Sequence, residues 1–493
     1  MDMKNGIQLI TYANSLGGDL SQLDRFLSTH GQETLSGVHI LPFFPSSADR
    51  GFAPISYEEV DPVFGSWKDV ESIAQKADLA VDFMANHLSQ QSPQFQDFLQ
   101  NKDQSEWKDF FLRYKNLWPN GEAPAEDLSK IYTRKPRPPY FEATFADGST
   151  EKIWCTFDYE QIDLDLRQKV TKDFFRQTIG GLVQRGAKII RLDAFAYTTK
   201  RPGTNCFFLE PDVWEVLEFC DQIASEGGAI LLPEIHEHYS IQLKLAEKGY
   251  WVYDFALPML VLHTLYSGSS KRLKDWFEIC PRNQFTTLDT HDGIGVVDVA
   301  DLLSPEEIEA TKDALFKQGA NVKAIYNSAS FGNLDIYQLN CTYYSALGND
   351  DARYLIARLL QFFAPGIPQV YYVGMLAGKN DIKLVESTRN GRDINRHDYT
   401  YEEIEAETQR PVVQQLFQLM KLRNNHPAFE AELCILPSED HQLRLRYAKG
   451  QHYCEANIDL QALQATVKAS HQDGSEGFDE IPIGHPISAN SKA

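Results

Sequence analysis

The stretch AKIIRLDAFAY, residues 187–197, reads as a buried strand: Ile189, Ile190, Leu192, Ala194 and Phe195 all favour leaving water. Yet it also carries Arg191 and Asp193. Side chains two apart on a strand share a face, so a guanidinium and a carboxylate enter the interior together, which is costly unless each compensates the other. Three further apolar runs end in ionisable groups: DFMANH with Asp82 and His87, LPEIH with Glu234 and His236, and LDTHD with Asp289, His291 and Asp292. One acid at a strand end is readily a structural ion pair. Acids from four strand ends converging on one rim repel each other and raise one another's pKa values, as groups at reactive sites do. Such a cluster suits chemistry on a sugar acetal. One carboxylate attacks, and one carboxylic acid about 5–5.5 Å away protonates the departing oxygen. Asp193 and Glu234 form the natural pair. Arg191 is expected to keep Asp193 ionised and aimed. Glu234, behind Leu231, Leu232 and Pro233, is expected to be partly desolvated and to serve as the acid, and Asp292 to face the developing oxocarbenium charge.

These residues need a frame that brings strand ends together. Eight apolar or β-branched runs recur along the chain: QLITYA (8–13), GVHILPFF (37–44), LAVDFMANH (79–87), KIIRLDAF (188–195), AILLPEIH (229–236), YDFALP (253–258), FTTLDTHD (285–292) and QVYYVG (369–374). Runs this continuous suit strands covered on both faces. Amphipathic segments between them, such as 167–186 and 210–228, suit the crossover helices of a parallel sheet. The pattern predicts an α/β fold, a (β/α)8 TIM barrel with its site at the carboxyl ends of the strands. Two gaps, of about 80 residues after His87 and about 60 after Asp292, are too long for barrel loops and must carry structure of their own. The expected organisation is a barrel formed by 1–87, 167–293 and 350–430, with subdomain B inserted over 88–166 and subdomain B′ over 294–349. From 431 to 493 the pattern turns to alternation, as in HQLRLRYAKGQHYCEANIDL, which predicts a small C-terminal β domain.

The 493 residues are 43% hydrophobic and 12% aromatic, enough for a large core with additions. Lys plus Arg number 47 against 69 Asp plus Glu, a net charge of −22, which argues against nucleic acid or an anionic membrane as a partner. No segment reads as a signal peptide or approaches the ~20 apolar residues of a membrane span, and a cytoplasmic location is expected. The seven cysteines are scattered without CxxC or CxxH spacing and are expected to be reduced core thiols. No dense run of oxygen ligands suggests calcium, and no metal or cofactor is expected.

DFMANH, IRLDAFAY, LPEIHEH and TLDTHDGIG resemble the four core motifs of the α-amylase family of glycoside hydrolases, in the expected order on the expected strands. The chain as a whole, from about Ile7 to Phe429, resembles the sucrose phosphorylase subfamily within it. This resemblance implies Asp193 as nucleophile, Glu234 as acid/base and Asp292 as transition-state stabiliser, with Arg191, His87 and His291 holding a glucosyl ring. It further implies that Asp49 and Arg392 clamp the far edge of the ring while Phe52 and Phe157 stack on it. Sucrose and inorganic phosphate would be the substrates, and the protein a monomer or homodimer.

Phosphate faces three carboxylates in such a site, so local cations must draw it in. IYTRKPRPPY supplies Arg134, Lys135 and Arg137 where the first insertion overhangs the rim, and guanidinium matches phosphate oxygens; the alternative is a solvated basic turn. Which of Arg134 and Arg137 binds phosphate is left open by the sequence. The resemblance implies that Asp335 and Gln338 of NLDIYQLN bind a fructosyl acceptor, that Tyr337 and His236 contact phosphate, and that Tyr197 belongs to the same side of the site. An enzyme for sucrose 6′-phosphate should offer extra cationic or His donors near Asp335, whose neighbours here are Leu334 and Ile336. Glucosylglycerol or glucosylglycerate phosphorolysis, a hydrolytic α-glucosidase and a non-catalytic sugar-binding barrel are the competing readings. The last should have lost an acid, and all three are present.

Overall fold

The computed structural model describes residues 3–135, 137–320, 338–473 and 476–484. Eight parallel strands form the central sheet: β1 (Gln8–Thr11), β2 (Gly37–Ile40), β3 (Asp78–Met84), β4 (Ala187–Asp193), β5 (Ile230–Pro233), β6 (Val252–Asp254), β7 (Gln284–Thr286) and β8 (Ile367–Tyr371). Their order is β6-β7-β8-β1-β2-β3-β4-β5, and the two end strands, β5 and β6, lie in contact, so the sheet curls into the expected barrel. β1, β2, β3 and β8 are buried along their whole length, as expected of strands with the barrel interior on one side and helices on the other.

The helices follow the sequence periodicity. Lys169–Gln184 buries Thr171, Phe175, Ile179 and Leu182, and Asp212–Glu226 buries Val213, Leu217, Cys220 and Ile223, each at spacings of three or four. In the second insertion, Ser304 and Glu307 form a capping box that starts the helix Pro305–Lys317.

The first insertion has its own aromatic core, with Phe95, Phe98, Phe111 and Phe145 in edge and stacked contacts. Its base is closed by an antiparallel pairing of His87–Ser89 with Gln161–Asp163. Buried Lys200, beyond β4, bonds both Asn86 and Asp163 and so ties this base to the barrel. In the second insertion Ile294–Gly295 pairs with Gln338–Leu339. The C-terminal unit is a five-stranded antiparallel meander: β9 (Leu433–Leu436), β10 (Gln442–Lys449), β11 (His452–Asp459), β12 (Gln464–Ser470) and β13 (Phe478–Gly484). It is joined to the barrel helix Asp351–Phe363 by the Tyr447 hydroxyl, which donates to the Phe363 carbonyl. The cysteines are free thiols, buried except for Cys434, which is exposed rather than part of a core. Among the described residues no helix is long and apolar enough to cross a membrane.

Candidate active site

The β3–β4 register sets Asp82 opposite Arg191 and Met84 opposite Asp193, and the β4–β5 register sets Leu192 opposite Pro233, one residue before Glu234. Three acids from neighbouring strands therefore meet one guanidinium. Arg191 contacts Asp82 at 2.5 Å, Asp193 at 2.9 Å and Glu234 at 3.4 Å. Asp82 is further held by His39 at 2.6 Å. Burial acts to raise the Asp82 carboxyl, but His39 and Arg191 outweigh it and hold it below its usual range.

Asp193 is held by Arg191, but against strong opposing influences. Burial pushes its carboxyl above the usual range, Arg191 opposes this, and the Glu234 and Asp82 charges add to the push. One guanidinium shared among three acids compensates each only in part. The backbone reverses directly after Asp193: Ala194 takes the left-handed conformation (φ 53°), and its N–H donates to Glu234 Oε2 at 3.2 Å. The two candidate reacting groups are thus fixed relative to each other by backbone as well as by charge.

Asp292 stands opposite, in contact with Arg392 at 3.3 Å and His291 at 3.5 Å. Burial would raise its carboxyl, but His291, Arg392, His236 and Arg396 more than reverse this and hold it ionised. Burial lowers the His291 and His87 imidazoles. His87 Nε2 lies 2.9 Å from the Phe52 carbonyl, which also accepts from Gln161 Nε2 at 2.9 Å. Phe52 stacks on His291 at 4.9 Å, and Phe157 meets His87 edge-on at 5.5 Å. Arg392 reaches Asp49 at 4.0 Å, bringing the expected far-edge pair together. Asp49, Arg50 and Gly51 all have positive φ, and a Cβ at Gly51 (φ 109°) would fall 2.5 Å from the Pro42 carbonyl oxygen, so this rim loop requires glycine there.

On the acceptor side, Arg134 and Arg137 part company. The Arg134 guanidinium lies over the Tyr197 ring, and its Nε donates to the Tyr197 hydroxyl; Tyr197 in turn meets Phe157 at 5.1 Å. Arg137 donates to the Phe157, Tyr140 and Pro138 carbonyls and stacks on Tyr159 at 3.9 Å, which spends its donors within its own subdomain. Lys135 contacts Asp158 at 3.6 Å. His236 lies 3.5 Å from Glu234, with Gln338 Nε2 at 3.4 Å. Asp335 and Tyr337 lie outside the described residues. Glu234, His236 and Asp292 bring side-chain N and O atoms within 4.8 Å of one another, with Arg191 on Glu234 and Arg392 on Asp292.

Asp289 does not join this rim. Its carboxylate is taken by buried Arg358 of the helix Asp351–Phe363 at 2.8 and 2.9 Å, a structural ion pair between sheet and helix. Sequence reasoning missed several supports. Arg396 donates twice to the His291 carbonyl, at 3.0 and 2.8 Å, and Asn395 donates to the Thr290 and Asp292 carbonyls, so this segment fixes the backbone that carries Asp292. Their signal was present in NGRDINR, four residues beyond Arg392 at most. Gln161 and Asp298 carried no local signal.

A family model described as the catalytic domain of alpha amylase matches residues 25–227. The chain is 51% identical to a sucrose phosphorylase of Streptococcus mutans, over 97% of this chain and 100% of that one. It is 43% identical to a glucosylglycerol phosphorylase of Marinobacter adhaerens, over 97% and 98% of the two chains. The crystal structure of a sucrose 6F-phosphate phosphorylase from Thermoanaerobacter thermosaccharolyticum superposes with a TM-score of 0.94 at 42% identity, covering 98% of each chain. With four strand ends bearing this set of acids and cations, and with likeness running end to end, the chain belongs to the α-amylase family, in the branch formed by sucrose phosphorylase and its sister phosphorylases.

Proposed function

We propose that the protein is a retaining α-glucosyl phosphorylase that converts sucrose and phosphate into α-glucose 1-phosphate and fructose. The observation that carries this reading is the end-to-end 51% identity to a sucrose phosphorylase in a chain whose Asp193 and Glu234 share one buried guanidinium. In the first half-reaction an Asp193 carboxylate oxygen attacks the anomeric carbon while Glu234 protonates the bridging oxygen, and fructose leaves. A covalent β-glucosyl ester remains. Phosphate then attacks from the face that fructose vacated, its proton passing to Glu234 where needed, and α-glucose 1-phosphate departs with net retention. Asp292, held ionised among His291, Arg392 and Arg396, faces the positive charge that builds on the ring.

The glucosyl ring is assigned to Asp49, Phe52, His87, Phe157, Arg191, His291 and Arg392. Arg134, Tyr197, His236 and Gln338, with Asp335 and Tyr337, are assigned to phosphate and fructose. Arg137 leaves that group, because its guanidinium is committed to carbonyls of its own subdomain. The scheme uses no metal or cofactor. We assign subdomain B to 88–166 and B′ to 294–349, the small β domain to 431–493, and the enzyme to the cytoplasm as a monomer or homodimer.

The 43% identity to a glucosylglycerol phosphorylase and to a sucrose 6(F)-phosphate phosphorylase supports a second reading in which only the acceptor differs. One experiment separates them: incubate with sucrose, sucrose 6′-phosphate, glucosylglycerol or glucosylglycerate, with and without phosphate, and follow glucose 1-phosphate against free glucose. Phosphate-dependent glucose 1-phosphate from sucrose above all is expected. Free glucose at equal rates in both conditions would overturn phosphorolysis, and a faster reaction with another donor would overturn sucrose.

A further inference from the structure

We propose that Asp298 is a positioning residue for the phosphate half-reaction, its carboxylate holding His236 as a cation beside Glu234, where an incoming dianion needs one. This rests on the phosphorylase reading above and adds to it a residue that touches neither sugar nor phosphate.

The His236 ring lies against Phe255 at 3.8 Å with 19° between the planes, so its two nitrogens point along fixed directions. Nε2 is 3.5 Å from Glu234 Oε1, and Nδ1 is 3.6 Å from Asp298 Oδ2. A neutral imidazole can donate from one nitrogen only, and the other would then turn a lone pair on a carboxylate. An imidazolium offers an N–H toward each, and the Gln338 side-chain amide at 3.4 Å from Nε2, whose nitrogen and oxygen ends fill the same envelope, then accepts through its oxygen. Among the described residues, the charged groups whose contacts with or effect on the ring are given are anions: Glu234 beyond β5, Asp292 beyond β7, and Asp298 on the turn Val297–Val299 with Glu237 behind it; Phe255 beyond β6 and Gln338 of the short ladder are neutral. Burial acts to lower the imidazole pKa, and the Asp298 contact with the Glu234 and Asp292 charges outweighs it. Burial raises the Asp298 carboxyl, which the His236 contact opposes.

The backbone is built around this contact. A Cβ at Gly295 would fall 2.0 Å from Asp298 Oδ2 and 3.6 Å from His236 Nδ1, so only glycine lets the carboxylate reach the ring. Gly295 is paired with Gln338, which fixes carboxylate, imidazole and acceptor-side amide at one corner of the site. Fructose is neutral and makes no demand on that cation, whereas phosphate must approach two carboxylates and does.

The test is Asp298→Asn, with sucrose saturating, phosphate varied, and hydrolysis measured without phosphate. The apparent KM for phosphate should rise about tenfold or more, the ratio of hydrolysis to phosphorolysis should rise with it, and the alkaline limb of phosphorolysis should move to lower pH. In a His236→Asn background the same substitution should leave that ratio where His236→Asn alone puts it. Equal losses of hydrolysis and phosphorolysis at unchanged KM for phosphate, with no shift of the pH profile, would overturn the proposal and leave Asp298 a fold residue. The unaltered protein gives a second measurement that does not depend on the variant folding. The His236 Cε1–H resonance, assigned by its loss in His236→Asn, should titrate above the ordinary histidine range, and titration at or below that range would equally overturn the proposal. Absence of any phosphate-dependent product from the unaltered protein would instead defeat the phosphorylase reading, a different and separately visible failure.

Discussion

Replacing Arg134 and Arg137 one at a time tests how the basic loop works. Both are half-buried and three residues apart, and on charge alone they are interchangeable. Arg134 points its Nε at the Tyr197 hydroxyl, and Tyr197 touches Phe157, which is proposed to line the glucosyl ring. A guanidinium hydrogen bond to a phosphate oxygen contributes ~1.5–3 kcal/mol. At ~1.36 kcal/mol per tenfold, Arg134→Ala should raise the KM for phosphate about ten- to hundredfold, nearer the lower figure because solvent screens a half-exposed group. Arg137 instead holds the Phe157 carbonyl at 2.9 Å and stacks on Tyr159 at 3.9 Å. Its loss removes hydrogen bonds to three carbonyls and one exposed cation–π contact, about 2–4 kcal/mol together, so Arg137→Ala should lower the thermal transition and move the KM for phosphate by less than about threefold. The assay is the initial rate of glucose 1-phosphate formation against phosphate at saturating sucrose, beside a thermal melt of each variant. If Arg137→Ala raises that KM more than Arg134→Ala does, the reading of both side chains is wrong.

Asp193→Asn should cut turnover by several decades with any leaving group, whereas Glu234→Gln should recover with α-glucosyl fluoride, whose leaving group needs no proton; equal recovery of both would reverse or void the assignment. Arg358→Met should cost about 3–5 kcal/mol by stranding buried Asp289. Burial already holds the Asp289 carboxyl above its usual range, so protonation relieves the stranded charge: the deficit should be largest above its folded pKa and shrink as pH falls, and thermal melts at pH 7.5 and pH 5 that show the same deficit would contradict this. Gly51→Ala should raise the KM for sucrose, because a side chain at φ 109° is strained and meets the Pro42 carbonyl at 2.5 Å, displacing Asp49 and Phe52; unchanged kinetics would show that the loop tolerates the shift.

The eight strands were legible because two-sided burial writes itself as unbroken apolar runs, and helix Pro305–Lys317 because its capping box is local. Asp193 and Glu234 were legible because an acid is conspicuous where such a run ends. What stayed hidden was pairing across distance. Asp289 looks like another rim acid until Arg358, from a helix 69 residues on, takes both its oxygens. Arg134 and Arg137 have the same chemistry and nearly the same place in the chain, and only the fold gives one to a tyrosine and the other to carbonyls. Asp298 sits in an apolar segment, VVDVA, with nothing beside it to announce an imidazole 3.6 Å away.

The left-handed turn at Ala194 ties its amide to the Glu234 carboxyl, so the spacing of Asp193 and Glu234 is set by adjoining barrel strands and not by the loops around them. On the proposed assignment, changes along the rim that carries Arg134, Tyr197 and Gln338 can alter the acceptor, by natural selection or by design, while that spacing is kept. A branched or bulky replacement at that alanine would undo this independence without altering any group that reacts.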